Sequence, residues 1–99
     1  KKTLAALAVL GLTAACIPPE GVTEADLAAF DTAVASIGCE LSTERHYLPV
    51  ELQTGIPREK LIEIAGYRIQ QERAVSLENG GMRLITDRCA PAQATPVEA

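Results

Sequence analysis

The chain has 99 residues, which leaves room for one domain with a modest hydrophobic core. Nine basic residues stand against thirteen acidic ones, a formal net charge of −4. This acidic balance argues against non-specific binding to nucleic acid or to anionic lipid.

Residues 1–15 have the pattern of a secretory signal peptide. Lys1 and Lys2 precede an apolar stretch of about ten residues, and small residues lead to Cys16. The apolar stretch is too short for a permanent transmembrane helix, which needs about twenty residues. Removing the two lysines leaves seven of the nine basic residues against thirteen acidic ones, so we expect a mature net charge of about −6.

The segment Leu12-Thr13-Ala14-Ala15-Cys16 resembles the lipobox of bacterial lipoproteins, with Thr13 where that family usually has Leu. The resemblance implies cleavage before Cys16, lipidation of its thiol and attachment to a membrane. Ile17 follows the cysteine in place of Asp, which by the same resemblance implies the outer over the inner membrane in a host that has both, with the protein in the periplasm or at the outer membrane. The alternative is ordinary signal cleavage after Ala15, which would give a soluble secreted protein.

The chain has three cysteines. If Cys16 carries lipid, Cys39 and Cys89 remain as one pair, and export favours their oxidation to a disulfide. Closing this long loop would stabilise the fold by about 4 kcal/mol in the chain-entropy model. The alternative is two unrelated buried thiols.

Residues 16–22 contain Pro18 and Pro19, and we expect them to form a short extended tether. Thr23 and Asp26 then give a capping-box pattern that predicts the start of a first helix. Its buried stripe comprises Leu27, Phe30, Val34 and Ile37. Gly38 suits the left-handed conformation that ends a helix.

Residues 39–41 are predicted to form a short strand, and residues 44–53 a second helix that Ser42 or Thr43 caps. Pro49 lacks a backbone N–H, so we expect this helix to start or kink near Leu48. Pro57 suits the first position of a third helix, which runs from Arg58 to about Arg73. Its predicted buried face comprises Leu61, Ile62, Ala65 and Ile69.

Two segments of alternating polarity, residues 74–77 and 82–86, flank the dipeptide Asn79-Gly80. This dipeptide is a strong hairpin signal because both residues tolerate positive φ. Residues 90–99 have little to bury and are predicted to be a disordered tail.

The stretch from Leu52 to Leu61, with its glycine turn, and the tip Asn79-Gly80-Gly81 resemble winged-helix domains. The resemblance covers residues 23–89. It implies an α+β fold with three helices and a C-terminal β-hairpin, in which the strand after the first helix pairs with the last strand and brings Cys39 near Cys89. It also implies DNA-binding candidates, which are Arg58, Lys60, Arg68 and Arg83.

No motif in the chain predicts catalysis. The single histidine, His46, lies near Glu44 and Glu51 but has no third ligand at metal-binding spacing, so an exposed or capping role is the better interpretation. The serines have no His and carboxylate partnership that would make a nucleophile. We therefore expect a protein that is not an enzyme and has no cofactor and no metal.

The sequence favours a non-catalytic cell-envelope lipoprotein domain that binds another envelope protein. The predicted contact surface comprises Arg58, Glu63, Tyr67 and Arg83, with Tyr67 off the buried face of the third helix as an interface anchor or partly packed under the wing. One alternative is an accessory or assembly subunit of a membrane enzyme complex. Another is a winged-helix DNA-binding regulator in the cytoplasm, which export and the interspersed glutamates disfavour.

Overall fold

A computed structural model of the protein describes residues 17–90. The predicted signal peptide, lipidation at Cys16 and tail after residue 90 lie outside the described residues. The described chain has three helices, three strands and a short 3-10 helix, in the order α1 (Glu24–Ser36), β1 (Glu40–Leu41), α2 (Glu44–Thr54), α3 (Arg58–Gln70), β2 (Ala74–Ser76), β3 (Met82–Leu84) and 3-10 helix (Asp87–Cys89).

The strands form one antiparallel sheet in the order β1-β3-β2. Glu40 pairs with Arg83 and Leu41 with Met82, so the strand after α1 does pair with the last strand of the hairpin. The predicted α+β fold class, with three helices and a C-terminal hairpin, is confirmed.

Helix α1 begins after Thr23 as predicted and ends at Ser36, one residue before the predicted Ile37. The Thr23 hydroxyl accepts a hydrogen bond from the Asp26 N–H at 3.1 Å, and the Asp26 carboxylate accepts one from the Thr23 N–H at 3.0 Å. At the other end, the N–H groups of Gly38 and Cys39 donate to the carbonyls of Ala35 and Val34. This is the Schellman arrangement, which needs a left-handed residue, and Gly38 supplies it with φ of 110°.

Helix α2 passes through Pro49 without a break, so the expected start near Leu48 is wrong. Proline removes one backbone hydrogen bond from a helix interior. Val50, the next residue, is fully buried, and the Thr54 hydroxyl donates to the Val50 carbonyl at 2.7 Å. Packing of this side of α2 against the core stabilises the helix despite the missing bond.

Helix α3 ends three residues earlier than predicted, and Pro57 is its N-cap residue instead of its first helical residue. The N–H groups of Glu72 and Arg73 donate to the carbonyls of Ile69 and Arg68, a second Schellman arrangement. Here the left-handed position is occupied by Glu72, with φ of 65°. A residue with a Cβ is strained in that conformation.

The hairpin turn differs from the predicted one in its backbone. Only Gly80 has positive φ, whereas Asn79 does not. The Gly80 N–H donates to the Leu77 carbonyl at 3.0 Å and the Leu77 N–H to the Gly81 carbonyl at 2.8 Å, which makes a three-residue loop with a glycine bulge. The Asn79 carboxamide oxygen accepts from the Gly81 N–H at 3.0 Å and stabilises this turn.

The core lies between the three helices and the inner face of the sheet. Its fully buried side chains include Phe30, Val34, Leu41, Val50, Leu61 and Ile64. The predicted Cys39–Cys89 disulfide is present, with a Cα–Cα distance of 5.7 Å. It links the end of α1 to the 3-10 helix beside the β1–β3 pair.

The segment before α1 is less extended than a simple tether. The Val22 N–H donates to the Pro19 carbonyl at 3.1 Å, and Gly21 has φ of 80°, so residues 19–22 form a turn. The Lys60 ammonium donates to the Glu20 carbonyl at 2.7 Å. This turn is therefore attached to the first part of α3.

Candidate functional site

The buried face of α3 is rotated relative to the predicted one. Ile62 is 52% exposed, whereas Tyr67 is 9% exposed and belongs to the core, so both expectations for these residues are corrected. The reason is Arg68, which lies on the buried face at 7% exposure. The predicted stripe included Ile62 and omitted Ile64 and Tyr67, which share the buried face with Arg68.

Arg68 is buried because Asp31 of α1 meets it. The Arg68 Nε and Nη2 atoms donate to the two Asp31 oxygens at 3.1 and 2.7 Å, and its Nη1 donates to the Gln71 side chain at 2.7 Å. Arg73 approaches the same carboxylate at 3.8 Å. A buried charge needs such a partner and hydrogen bonds to be tolerated.

Arg58, a predicted contact residue, is held by α2. Its Nη1 and Nη2 atoms donate to the Glu44 carboxylate at 2.8 and 3.1 Å, and its Nε donates to Glu51. Its guanidinium lies over the Tyr47 ring, 4.9 Å from the centroid, in a cation–π contact. Arg58 therefore joins the start of α3 to one face of α2.

This cluster changes the acidity of its members. The hydrogen bond from Arg58, and then its positive charge, hold the pKa of Glu44 below its ordinary value of 4.5. The hydrogen bonds to Glu44 and Glu51 raise the pKa of Arg58 further. Partial burial raises the pKa of Tyr47, and the Arg58 charge opposes that effect.

The other two predicted contact residues also have partners in the domain. Glu63 accepts from Lys60 at 3.2 Å. Arg83 donates to Glu40 at 3.3 Å, across the β1–β3 pair. The structure does not bring Arg58, Glu63, Tyr67 and Arg83 together as one surface: three form separate ion pairs and the fourth is in the core.

We take a groove between α3 and the β2–β3 hairpin as the candidate site because its lining residues are uncharged, and we call it the α3–hairpin groove. Its volume is about 190 Å³. Leu41, Ala65 and Met82 are buried core residues at the groove. The remaining lining residues come from the helices and from the hairpin, and they are Tyr47, Ile62, Ile69, Ser76, Leu77, Gly80 and Gly81.

The hairpin keeps its position over the groove because Gly81 lies against the start of α2. A Cβ atom at Gly81 would lie 2.6 Å from the Cα of Ser42 and 2.2 Å from its hydroxyl oxygen. Only a residue without a side chain permits this approach. The glycine thus determines how closely the hairpin wall of the groove packs on the domain.

His46 has the capping role that the sequence favoured. Its Nδ1 atom accepts hydrogen bonds from the backbone N–H groups of Ser42 and Thr43, at 2.9 and 3.3 Å. An Nδ1 that accepts these bonds is not available to coordinate a metal ion. Across residues 17–90, no group of three or more His, Cys, Asp and Glu side chains is arranged to hold a metal ion.

A second cavity, of about 150 Å³, lies beside the disulfide. It is lined by Asp31 and Thr32 of α1 and by residues 86–89 after β3, among others. The Asp31 carboxylate there is engaged with Arg68, whereas Arg88, which also lines this cavity, forms no ion pair among residues 17–90. The residues that line the α3–hairpin groove are, by contrast, uncharged.

Comparison of the chain with protein-family models, with curated proteins and with solved structures gives no match. Among the described helices, none combines the length and the apolar character that crossing a bilayer requires.

The sequence carried one signal for the groove, which the predicted pattern assigned to the buried face of α3. Ile62 and Ile69 lie seven residues apart, two helical turns along one side of α3, with Gly66 between them. They lie beside the buried face formed by Leu61, Ile64 and Ala65.

Proposed function

We propose that this chain is a non-catalytic cell-envelope domain that binds another protein through the α3–hairpin groove. In this proposal residues 1–15 direct export, and lipid on Cys16 attaches the chain to a membrane. The half-exposed Ile62 at an apolar groove is the observation that carries the binding role. Covering such a side chain with apolar partner surface is favourable.

Gly66 supports a contact at this place. It lies one turn after Ile62 in the interior of α3, where glycine is about 1 kcal/mol less favourable than alanine. Nothing lies within 4 Å of the position that a Cβ would take, so packing inside the domain does not require glycine. A partner that approaches the α3 backbone closely would require it.

The ion pairs favour a protein partner over DNA. The four cations that the winged-helix resemblance implies for DNA contact all have carboxylate partners in the domain: Arg58 with Glu44 and Glu51, Lys60 with Glu63, Arg68 with Asp31 and Arg83 with Glu40. Binding to phosphates would have to compete with these pairs.

The disulfide supports export. Disulfides form and persist in oxidising compartments and are rare in the cytosol. Intact mass of the protein isolated from membranes, with and without reductant, tests this part. We expect a chain that begins at Cys16, carries acyl groups and gains two mass units on reduction. An uncut chain in the cytosol with reduced thiols would contradict it.

Site-specific photo-crosslinking tests the groove. A photoreactive residue is placed at Ile62 and, in a second strain, at Leu48, which is 48% exposed and does not line the groove. We expect one discrete adduct from position 62 and none of the same size from position 48.

The variant Gly66→Leu separates binding from folding. Leucine is a good helix former and the position is open, so the fold should be at least as stable as the wild type. A leucine there should block close approach and remove the position-62 adduct. An adduct that persists in this variant, with the same mass and yield, would show that the partner does not use the groove.

A further inference from the structure

Three glutamates lie close in the chain to residues that line the α3–hairpin groove. Glu59 lies one helical turn before Ile62, and Glu63 directly follows it. Glu78 lies in the hairpin loop between Leu77 and Gly80, which both line the groove. All three glutamates are exposed, so the groove has carboxylates on its helix side and on its hairpin side.

Two of these carboxylates have no partner among residues 17–90. Glu59 and Glu78 form no ion pair and accept no hydrogen bond there. Glu63 has only Lys60, at 3.2 Å on the surface, and such exposed pairs are weak. The Arg58 guanidinium lies over Tyr47, which lines the groove, but Glu44 and Glu51 already compensate the positive charge of Arg58.

An apolar groove with unpaired carboxylates beside it selects its partner in two ways. The apolar lining favours an aliphatic side chain that leaves water on binding. The carboxylates attract positive charge and repel negative charge, which increases the association rate and excludes acidic partners. A peptide segment with an aliphatic side chain next to a cationic one meets both conditions.

We propose that the partner presents an aliphatic side chain next to Lys or Arg, in a cationic segment that inserts the aliphatic group at Ile62 and places the cations near Glu59 and Glu78. This inference rests on the proposed function, because it names the chemistry of the protein that the groove binds.

Selection from a displayed library of short random peptides tests the inference, with the full chain as target and its disulfide intact. We expect the enriched peptides to combine a Leu, Ile or Met with at least one nearby Lys or Arg. Binding of a synthetic winner should weaken at higher salt. The variant Ile62→Ser should weaken it by about tenfold or more.

A matched pair of double variants isolates the charges. Glu59→Gln with Glu78→Gln should weaken the winning peptide by about fivefold and reduce its salt dependence. Glu24→Gln with Glu72→Gln changes the net charge equally at exposed positions away from the groove, and it should leave binding within about twofold.

The possible failures are distinguishable. Neutral or acidic winners that still need Ile62 would overturn this inference and leave the proposed function standing. Equal losses in the two double variants would also overturn it, because net charge alone would then explain binding. Self-association of the chain through Ile62, seen in sedimentation, would overturn the cationic partner as well. A library without any Ile62-dependent binder would contradict the proposed function itself.

Discussion

Arg58 and Arg68 both lie on α3 and both make a forked contact with a carboxylate, but in different surroundings. The Arg68 side chain is 8% exposed and the side chain of its partner Asp31 is 18% exposed. Arg58 is 35% exposed and its partner Glu44 is 69% exposed. A forked arginine–carboxylate contact therefore serves two purposes: the inner pair is part of the packing between α1 and α3, whereas the outer pair joins α2 to α3 at the surface.

The largest effect should come from breaking the inner pair. Arg68→Met removes the closer of the two cations that face a nearly buried carboxylate, and we expect the free energy of unfolding to fall by about 3 kcal/mol. Urea unfolding followed by circular dichroism measures this loss. Arg45→Met, at an exposed arginine without an ion pair among the described residues, is the control and should be close to neutral.

The double variant Asp31→Leu with Arg68→Met sharpens the same point. It replaces both charges with apolar side chains, so no charge of the pair is left without a partner, and stability should return to within about 1 kcal/mol of the wild type. A double variant as unstable as Arg68→Met would show that the pair itself, and not the unpaired charge, stabilises the α1–α3 contact.

Removing the outer pair should have a smaller effect. Arg58→Gln loses the contacts to Glu44 and Glu51, but these groups are then hydrated by solvent. We expect a modest fall in the urea midpoint that shrinks further at high salt, since salt screens exposed charges. A loss as large as that of Arg68→Met would contradict the distinction between the two arginines.

The outer pair also predicts a pH dependence. Arg58 lowers the pKa of Glu44 in the folded protein below 4.5, so the contribution of this carboxylate to stability is complete above pH 4.5. It is lost as the pH falls through the lowered pKa. The urea midpoints of the wild type and Glu44→Gln should therefore differ at neutral pH and converge in acid. A difference that grew in acid would have the wrong sign.

The smallest expected effect is a gain in stability from a substitution in the turn that precedes Arg73. Glu72 occupies a left-handed position there, and Glu72→Gly relieves that strain while increasing the entropy of the unfolded chain. We expect a net stabilisation of about 0.5 kcal/mol. Thermal unfolding measures it, with Gln70→Gly, which lies within α3, as a destabilised control.

Local patterns were sufficient to predict most of the fold. The Thr23–Asp26 capping box, the helix stop at Gly38 and the hairpin at Asn79-Gly80 each depend on a few adjacent residues, and the structure contains all three elements. The Cys39–Cys89 bond followed from the number of cysteines. These features need no knowledge of distant contacts.

The orientation of α3 could not be predicted in this way. Arg68 is buried only because Asp31, 37 residues earlier, meets it across the core. Without that contact, the sequence pattern predicts that Ile62 is buried and that Tyr67 is not. The groove is then not predicted, because its apolar edge at Ile62 is assigned to the core. The position of Gly81 against Ser42 is likewise a long-range contact, so the shape of the groove wall was not foreseeable.

The disulfide divides the domain topologically. Residues 39–89 form a covalent ring that contains α2, α3 and the hairpin, whereas α1 precedes it in the chain. Detachment of α1 would leave the ring closed, and Asp31 would leave with α1 while Arg68 stayed behind. The stability of this domain against partial opening therefore depends on how strongly α1 packs on the ring, because the ring stays closed when α1 detaches.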